Sequence, residues 1–158
     1  MLTNIIITVI VDNTVYKQGL LAEHGLSLLI ECDGQKILFV GDQADEGELI
    51  ASIFDENSHA DMLTDPGEAL EKALAEDYDM VFVSLALSAG DPLRLCSHLR
   101  SNVSTRHVPI LVLVEESEPD QITKALELGV NDYIMQPINF SEARARALTQ
   151  SSYRRYHD

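Results

Sequence analysis

The sequence contains no tryptophan and only two cysteines in 158 residues. Cys32 and Cys96 lie far apart and neither has a Cys or His partner at metal-like spacing, which reads as reduced structural thiols in a cytoplasmic protein. Basic residues are few: 11 Lys and Arg stand against 26 Asp and Glu, a formal charge of −15. Affinity for nucleic acid rests mainly on neutralising phosphates with Lys and Arg, so this balance opposes such a partner. Four Phe and five Tyr are too sparse, and too far from positive charge, for a single-strand stacking platform. No apolar run approaches the roughly 20 residues that cross a bilayer, so no membrane partner is expected. The opening run Ile5 to Val11 is strand-length and lacks the basic lead-in and cleavage site of a signal peptide. The five histidines, His24, His59, His98, His107 and His157, form no i,i+4 pair or carboxylate-bracketed cluster suited to zinc. A phosphate-cradling glycine loop is also missing, so neither metal nor cofactor is expected.

What is present is enough for one domain plus an appendage: 46% hydrophobic residues and a mean hydropathy near zero. From Lys36 onward strands and helices alternate, which points to a parallel sheet covered on both faces. Lys36 to Val40 is a short apolar strand, followed by a helix whose Leu49, Ile50, Ile53 and Phe54 recur at helical spacing. Ala60 to Leu63 is a weaker strand, expected at an edge. Asp65-Pro66 supplies an N-cap and a proline at the first helical position, opening a helix that turns Leu70, Ala73 and Leu74 inward. Met80 to Leu85 is an uninterrupted apolar run and reads as a central strand. Asp91-Pro92 repeats the cap-plus-proline signal before Leu93, Cys96 and Leu99. Pro109 to Val114 is the most hydrophobic strand, and Asp120 to Leu128 is a helix closed by Gly129. Tyr133 to Met135 is the fifth strand, and a last helix begins near Ser141. Five such βα units predict an α/β fold, a flavodoxin-like doubly wound five-stranded parallel sheet of order 2-1-3-4-5.

Upstream of Lys36 the pattern is β rather than βα, so residues 1–35 form a β-rich leader to residues 36–158. Ile5 to Val11 and Leu26 to Cys32 read as strands, and Asp33-Gly34 is a hairpin turn signal joining the second to Gln35–Val40. This conflicts with a parallel sheet, in which Lys36 to Val40 has neighbours on both sides. The core buries far more apolar surface than a lone hairpin, so the parallel pairing is expected to win.

Several segments carry a resemblance to a known family. They are Asp79-Met80-Val81-Phe82-Val83-Ser84, His107 to Val114, Lys124 to Asp132 and Gly129 to Pro137. Residues from about Lys36 to Tyr156 resemble a response-regulator receiver domain. They are most similar to the second, adaptor receiver of PleD-type diguanylate cyclases, whose output domain makes cyclic di-GMP. The last helix, ending in Arg154-Arg155-Tyr156, is similar to the stretch leading toward that output domain. Val9 to Tyr16 and Gly19 to Ser27 resemble the opening of metallo-β-lactamase-fold hydrolases, but that family's zinc motif does not follow.

The receiver resemblance implies a pocket at the carboxyl ends of the strands, and this chain departs from it at most positions. Gly41-Asp42 stands where two acids would hold Mg²⁺, so one carboxylate is missing. Ser84 replaces the phospho-accepting aspartate, and a serine without a nearby base is a poor nucleophile. Val114 stands where a hydroxyl residue would follow the phosphate, and Gln136 where a lysine would pair with it. Pro137 is retained, and the resemblance implies a cis Gln136–Pro137 bond. The expectation is a degenerate receiver, with no enzymatic activity.

Function is then expected to be that of a non-phosphorylatable adaptor mediating dimerisation or domain docking in two-component or cyclic di-GMP signalling. The partner would be a second copy or a neighbouring receiver or cyclase domain, and the form a homodimer. The resemblance implies an interaction face on the fourth helix, fifth strand and last helix, near Lys124, Asp132, Tyr133, Arg144 and Arg146. Acids crowd between Asp42 and Asp79, where Lys72 is the only base, while Arg144, Arg146, Arg154 and Arg155 come late. That asymmetry would steer docking. The alternatives are a ligand-sensing pseudo-receiver whose vacated pocket takes a small molecule or anion, and a fragment of a metallo-β-lactamase-fold hydrolase.

Overall fold

A computed structural model describes residues 34–157, with side chains as far as Ser151. The expected leader strands and the metallo-β-lactamase likeness fall on residues 1–33, outside the described residues. Ten elements follow in strict alternation: β1 (Lys36–Val40), α1 (Ala44–Ala51), β2 (His59–Leu63), α2 (Pro66–Ala75), β3 (Met80–Ser84), α3 (Pro92–Ser101), β4 (Ile110–Glu115), α4 (Asp120–Glu127), β5 (Asp132–Gln136) and α5 (Phe140–His157). All strand pairs are parallel, in the order β2-β1-β3-β4-β5. This is the expected flavodoxin-like sheet.

Strand alternation divides the core into two layers. Leu38, Val40, Val81, Val83, Ile110, Val112 and Val114 pack under Ala69, Ala73, Leu95, Cys96, Leu99 and Ala125 of α2, α3 and α4. Ile37, Phe39, Met80, Phe82, Leu111, Leu113 and Ile134 pack on the opposite face against Ile50, Ala143 and Ala147 of α1 and α5. Asp65 and Asp91 cap α2 and α3 through their carboxylates, which accept from Glu68 N at 2.9 Å and Arg94 N at 3.2 Å, with Pro66 and Pro92 directly behind. Gly129, at φ +97°, ends the α4 turn.

Two local expectations are corrected, and one is met. The parallel pairing expected to win Lys36–Val40 does so: β1 pairs in parallel with both β2 and β3. α1 stops at Ala51, and Ile53 and Phe54 reach the core from the turn after it. Leu74 is 42% exposed, and α2 turns Ala69 and Ala73 inward instead. Beyond pattern, Arg100 ties three segments together, donating to Gly129 O at 2.6 Å, Arg106 O at 2.9 Å, Val108 O at 2.8 Å and also to Asn131 Oδ1.

Candidate functional site

Ligands of doubly wound sheets bind outside the carboxyl ends of the strands, which brings Gly41, Asp42, Ser84, Val114, Gln136 and Pro137 under scrutiny. Gly41 is buried directly after β1. A Cβ there would stand 2.8 Å from Phe39 Cε2, 2.9 Å from Phe39 Cζ and 3.2 Å from Ser84 Cβ. Gly47 in α1 meets the same ring, with a would-be Cβ 3.1 Å from Phe39 Cδ2 and 2.8 Å from Met62 Sδ. The Phe39 ring therefore occupies the ground where a carboxylate at position 41 would need room. Reading Phe39 only as a strand residue missed this, because its ring direction is not a pattern property.

The remaining polar groups are engaged by the chain itself. Asp42 Oδ2 accepts from Ser88 Oγ at 3.0 Å. Ser84 is 2% exposed, and its hydroxyl oxygen accepts from Ala86 N at 3.3 Å. Val114 is fully buried in the layer under α2, α3 and α4 and contributes no polar atom. Gln136 Nε2 donates to Glu46 Oε2 at 2.7 Å, joining β5 to α1, while Glu46 Oε1 and Gln136 Oε1 are buried without a partner. Burial raises the Glu46 carboxyl above its ordinary value; the Gln136 hydrogen bond opposes this, and Asp45, Asp42 and Glu115 reinforce it. Sequence reasoning missed Glu46, although its place one turn after Asp42 is the signal that was available. The Gln136–Pro137 bond is cis, and Gln136 and Pro137 line an open groove with Glu115, Glu116 and Ser117.

Mg²⁺ demands near-octahedral oxygen ligands at short range, usually with one or two carboxylates. Here Gly41 and Ser84 offer no carboxylate and Asp42 is hydrogen-bonded to Ser88. Among the described residues no group of three His, Cys, Asp or Glu is placed to hold a metal. The donor set does not fit the ion that the resemblance implies.

On the other flank, Asp132, Tyr133 and Arg146 come together. Arg146 Nη1 lies 2.6 Å from Asp132 Oδ1, Nη2 lies 3.5 Å from Glu142 Oε2, and the guanidinium carbon sits 4.6 Å from the Tyr133 ring centroid. Lys124 and Arg144 are exposed and stand outside this cluster. Leu126 and Phe140, 46% and 41% exposed, add apolar surface on α4 and at the start of α5. At the opposite, amino-terminal end of the sheet, a cavity of about 270 Å³ is lined by Tyr78, Val81, Leu99, Thr105, His107 and Val108 among others, remote from the strand ends described above.

Residues 37–148 match the response regulator receiver domain family. The chain is 32% identical over 142 residues to "Response regulator PleD" of Caulobacter vibrioides, covering 90% of this chain and 31% of that protein. It is also 32% identical over 112 residues to "Response regulator ArlR" of Staphylococcus saprophyticus, covering 70% of this chain and 50% of that protein. It thus spans half or less of the length of these curated relatives. A putative response regulator from Chloroflexus aurantiacus superposes with a TM-score of 0.69 at 23% identity, over 76% of this chain and 99% of that one. A two-component response regulator from Clostridium difficile does so at 0.65 and 26% identity, over 73% and 94%. The chain belongs to the response regulator receiver domain family, the receiving modules of two-component signalling.

Proposed function

We propose that this receiver domain works without aspartyl phosphorylation, as a protein-docking adaptor rather than an enzyme. The observation that carries this reading is the donor set at the strand ends: Gly41 and Ser84 present no carboxylate, and the Phe39 ring packs where a side chain at position 41 would begin. The polar remnants, Asp42, Ser84 and Gln136, are each bonded within the chain. The resemblance to PleD-type diguanylate cyclases makes cyclic di-GMP signalling the context, with a second copy or a neighbouring receiver or cyclase domain as partner. The docking face is that of α4, β5 and α5. There Asp132, Tyr133 and Arg146 form a pre-ordered centre, while Lys124 and Arg144 remain available to a partner's acids. An anion beside Gln136 is disfavoured, because Glu46 bonds to that amide and Asp45, Asp42 and Glu115 act on Glu46.

Treatment with acetyl phosphate or beryllofluoride and Mg²⁺ should leave mass and spectrum unchanged. A stoichiometric labile phosphate would overturn the reading. Sedimentation should show a dimer that Lys124→Glu combined with Arg144→Glu weakens; an unchanged dimer would remove this face from consideration.

A further inference from the structure

We propose that Glu46 and Gln136 share one exchangeable proton, and that this acid–amide pair is a pH-dependent latch between α1 and β5. The argument starts from the donor count. A primary amide has two N–H donors and a carbonyl acceptor, whereas an ionised carboxylate can only accept. Gln136 Nε2 already donates to Glu46 Oε2 at 2.7 Å, which joins the two groups. Two oxygens are left, Glu46 Oε1 and Gln136 Oε1, and both are buried with no partner. Two unsatisfied buried acceptors in adjoining side chains carry a desolvation penalty that nothing repays while Glu46 is ionised. One proton on Glu46 resolves both at once: Oε1 becomes an O–H donor and Gln136 Oε1 is the acceptor that lacks one. The result is a closed ring of two hydrogen bonds.

The surroundings favour that proton. Burial acts first on Glu46, against the ionised form, and the charged groups facing it are Asp45 on its own helix, Asp42 in the loop before α1 and Glu115 at the end of β4. All three are acids, and no Lys or Arg is among the groups acting on it. The folded value is therefore raised above the unfolded one. The pair's contribution to stability is fully present below the ordinary glutamate value and is lost as pH rises through the folded value. Deprotonation would leave one N–H···O bond between α1 and β5 and loosen the mouth of the vacated site. This deepens the adaptor reading by giving Gln136 a role, yet its test reads a proton on Glu46, so either reading can fail without the other.

The test is a ¹³C NMR pH titration of the whole chain, following the Glu46 carboxyl carbon and the Gln136 side-chain amide. The Glu46 midpoint should lie above the ordinary glutamate value, and the Gln136 amide should move with the same midpoint. Glu46→Gln replaces the acid by an amide that still forms both bonds, and should abolish the transition while keeping the fold. Glu46 titrating at the ordinary glutamate value, or a Gln136 amide that does not follow it, would overturn the proposal. A saturable shift of the same signals on adding Mg²⁺ or K⁺ at constant pH, absent in Glu46→Gln, would make this a cation site and overturn it equally.

Discussion

The ring of Phe39 lies against Gly41 so closely that a Cβ on the glycine would fall 2.8 Å from Phe39 Cε2. Overpacking a tight site costs about 1–3 kcal/mol, and a carboxylate placed there would also be desolvated. Gly41→Asp should therefore lower stability by at least about 1 kcal/mol in urea unfolding. The triple change Gly41→Asp, Ser84→Asp, Gln136→Lys should remain unlabelled by acetyl phosphate while Phe39 is intact. A Gly41→Asp protein as stable as the parent would show that the ring yields.

Arg146 both pairs with Asp132 and stacks on Tyr133. The side chains are partly exposed, at 29% for Arg146 and 20% for Asp132, so the pair alone contributes little, while the stacked stem and guanidinium add packing. Arg146→Ala should cost roughly 1 kcal/mol, and Arg146→Lys should recover only part of it, because the planar fork and stacking are lost. Equal stability of the Lys variant and the parent would reduce the contact to simple charge.

Tyr78, 3% exposed, donates its hydroxyl to Asp61 Oδ2 at 2.5 Å, and His59 Nε2 approaches the other oxygen at 2.8 Å. Burial pushes the Asp61 carboxyl up, but the bonds to Tyr78 and His59 and the charge of Lys72 outweigh it and hold the group below its ordinary value. Stability from a depressed carboxylate is present above the unfolded value and is lost as pH falls through the folded one. Tyr78→Phe should cost about 1–2 kcal/mol near neutrality. Its deficit against the parent should narrow in acid, as unfolding curves between pH 7 and pH 2 would reveal; a deficit constant across that range would separate Tyr78 from Asp61.

Cys96 is fully buried among core residues of α3. Desolvation pushes its thiol up to about 12, opposed by the nearby Arg100 charge, so the thiolate is scarce at neutral pH. In a Cys32→Ser background, a thiol reagent should leave the folded protein unmodified and react fully once denaturant is added. Rapid labelling of the native form would show that α3 opens more readily than its packing implies.

Much of the architecture was written in local chemistry. The alternating apolar runs, the two Asp-Pro starts at 65–66 and 91–92 and Gly129 each act within one or two turns of chain, and each appears where the pattern placed it. The same holds for the odd residues at the strand ends, since Gly41, Ser84 and Gln136 are visible as substitutions without any coordinates. The Asp33-Gly34 turn signal competed for Lys36–Val40, and that strand pairs in parallel on both sides, as the burial argument expected. Local spacing misled at one helix face. Leu74 falls at helical spacing from Leu70, yet α2 presents Ala69 and Ala73 to the core.

Hydrophobic period, caps and side-chain identity are properties of neighbours in the chain, so the βα alternation and the residue types at the strand ends follow from sequence alone. What those side chains meet is a matter of tertiary packing. Glu46 meets Gln136 across a separation of 90 residues, the Phe39 ring turns toward Gly41 and Gly47, and Arg100 finds acceptors in the loops before β4 and β5. Such contacts depend on which way side chains point and on how helices cross a twisted sheet. Those quantities are set by the packing of the whole domain, so no window of sequence contains them.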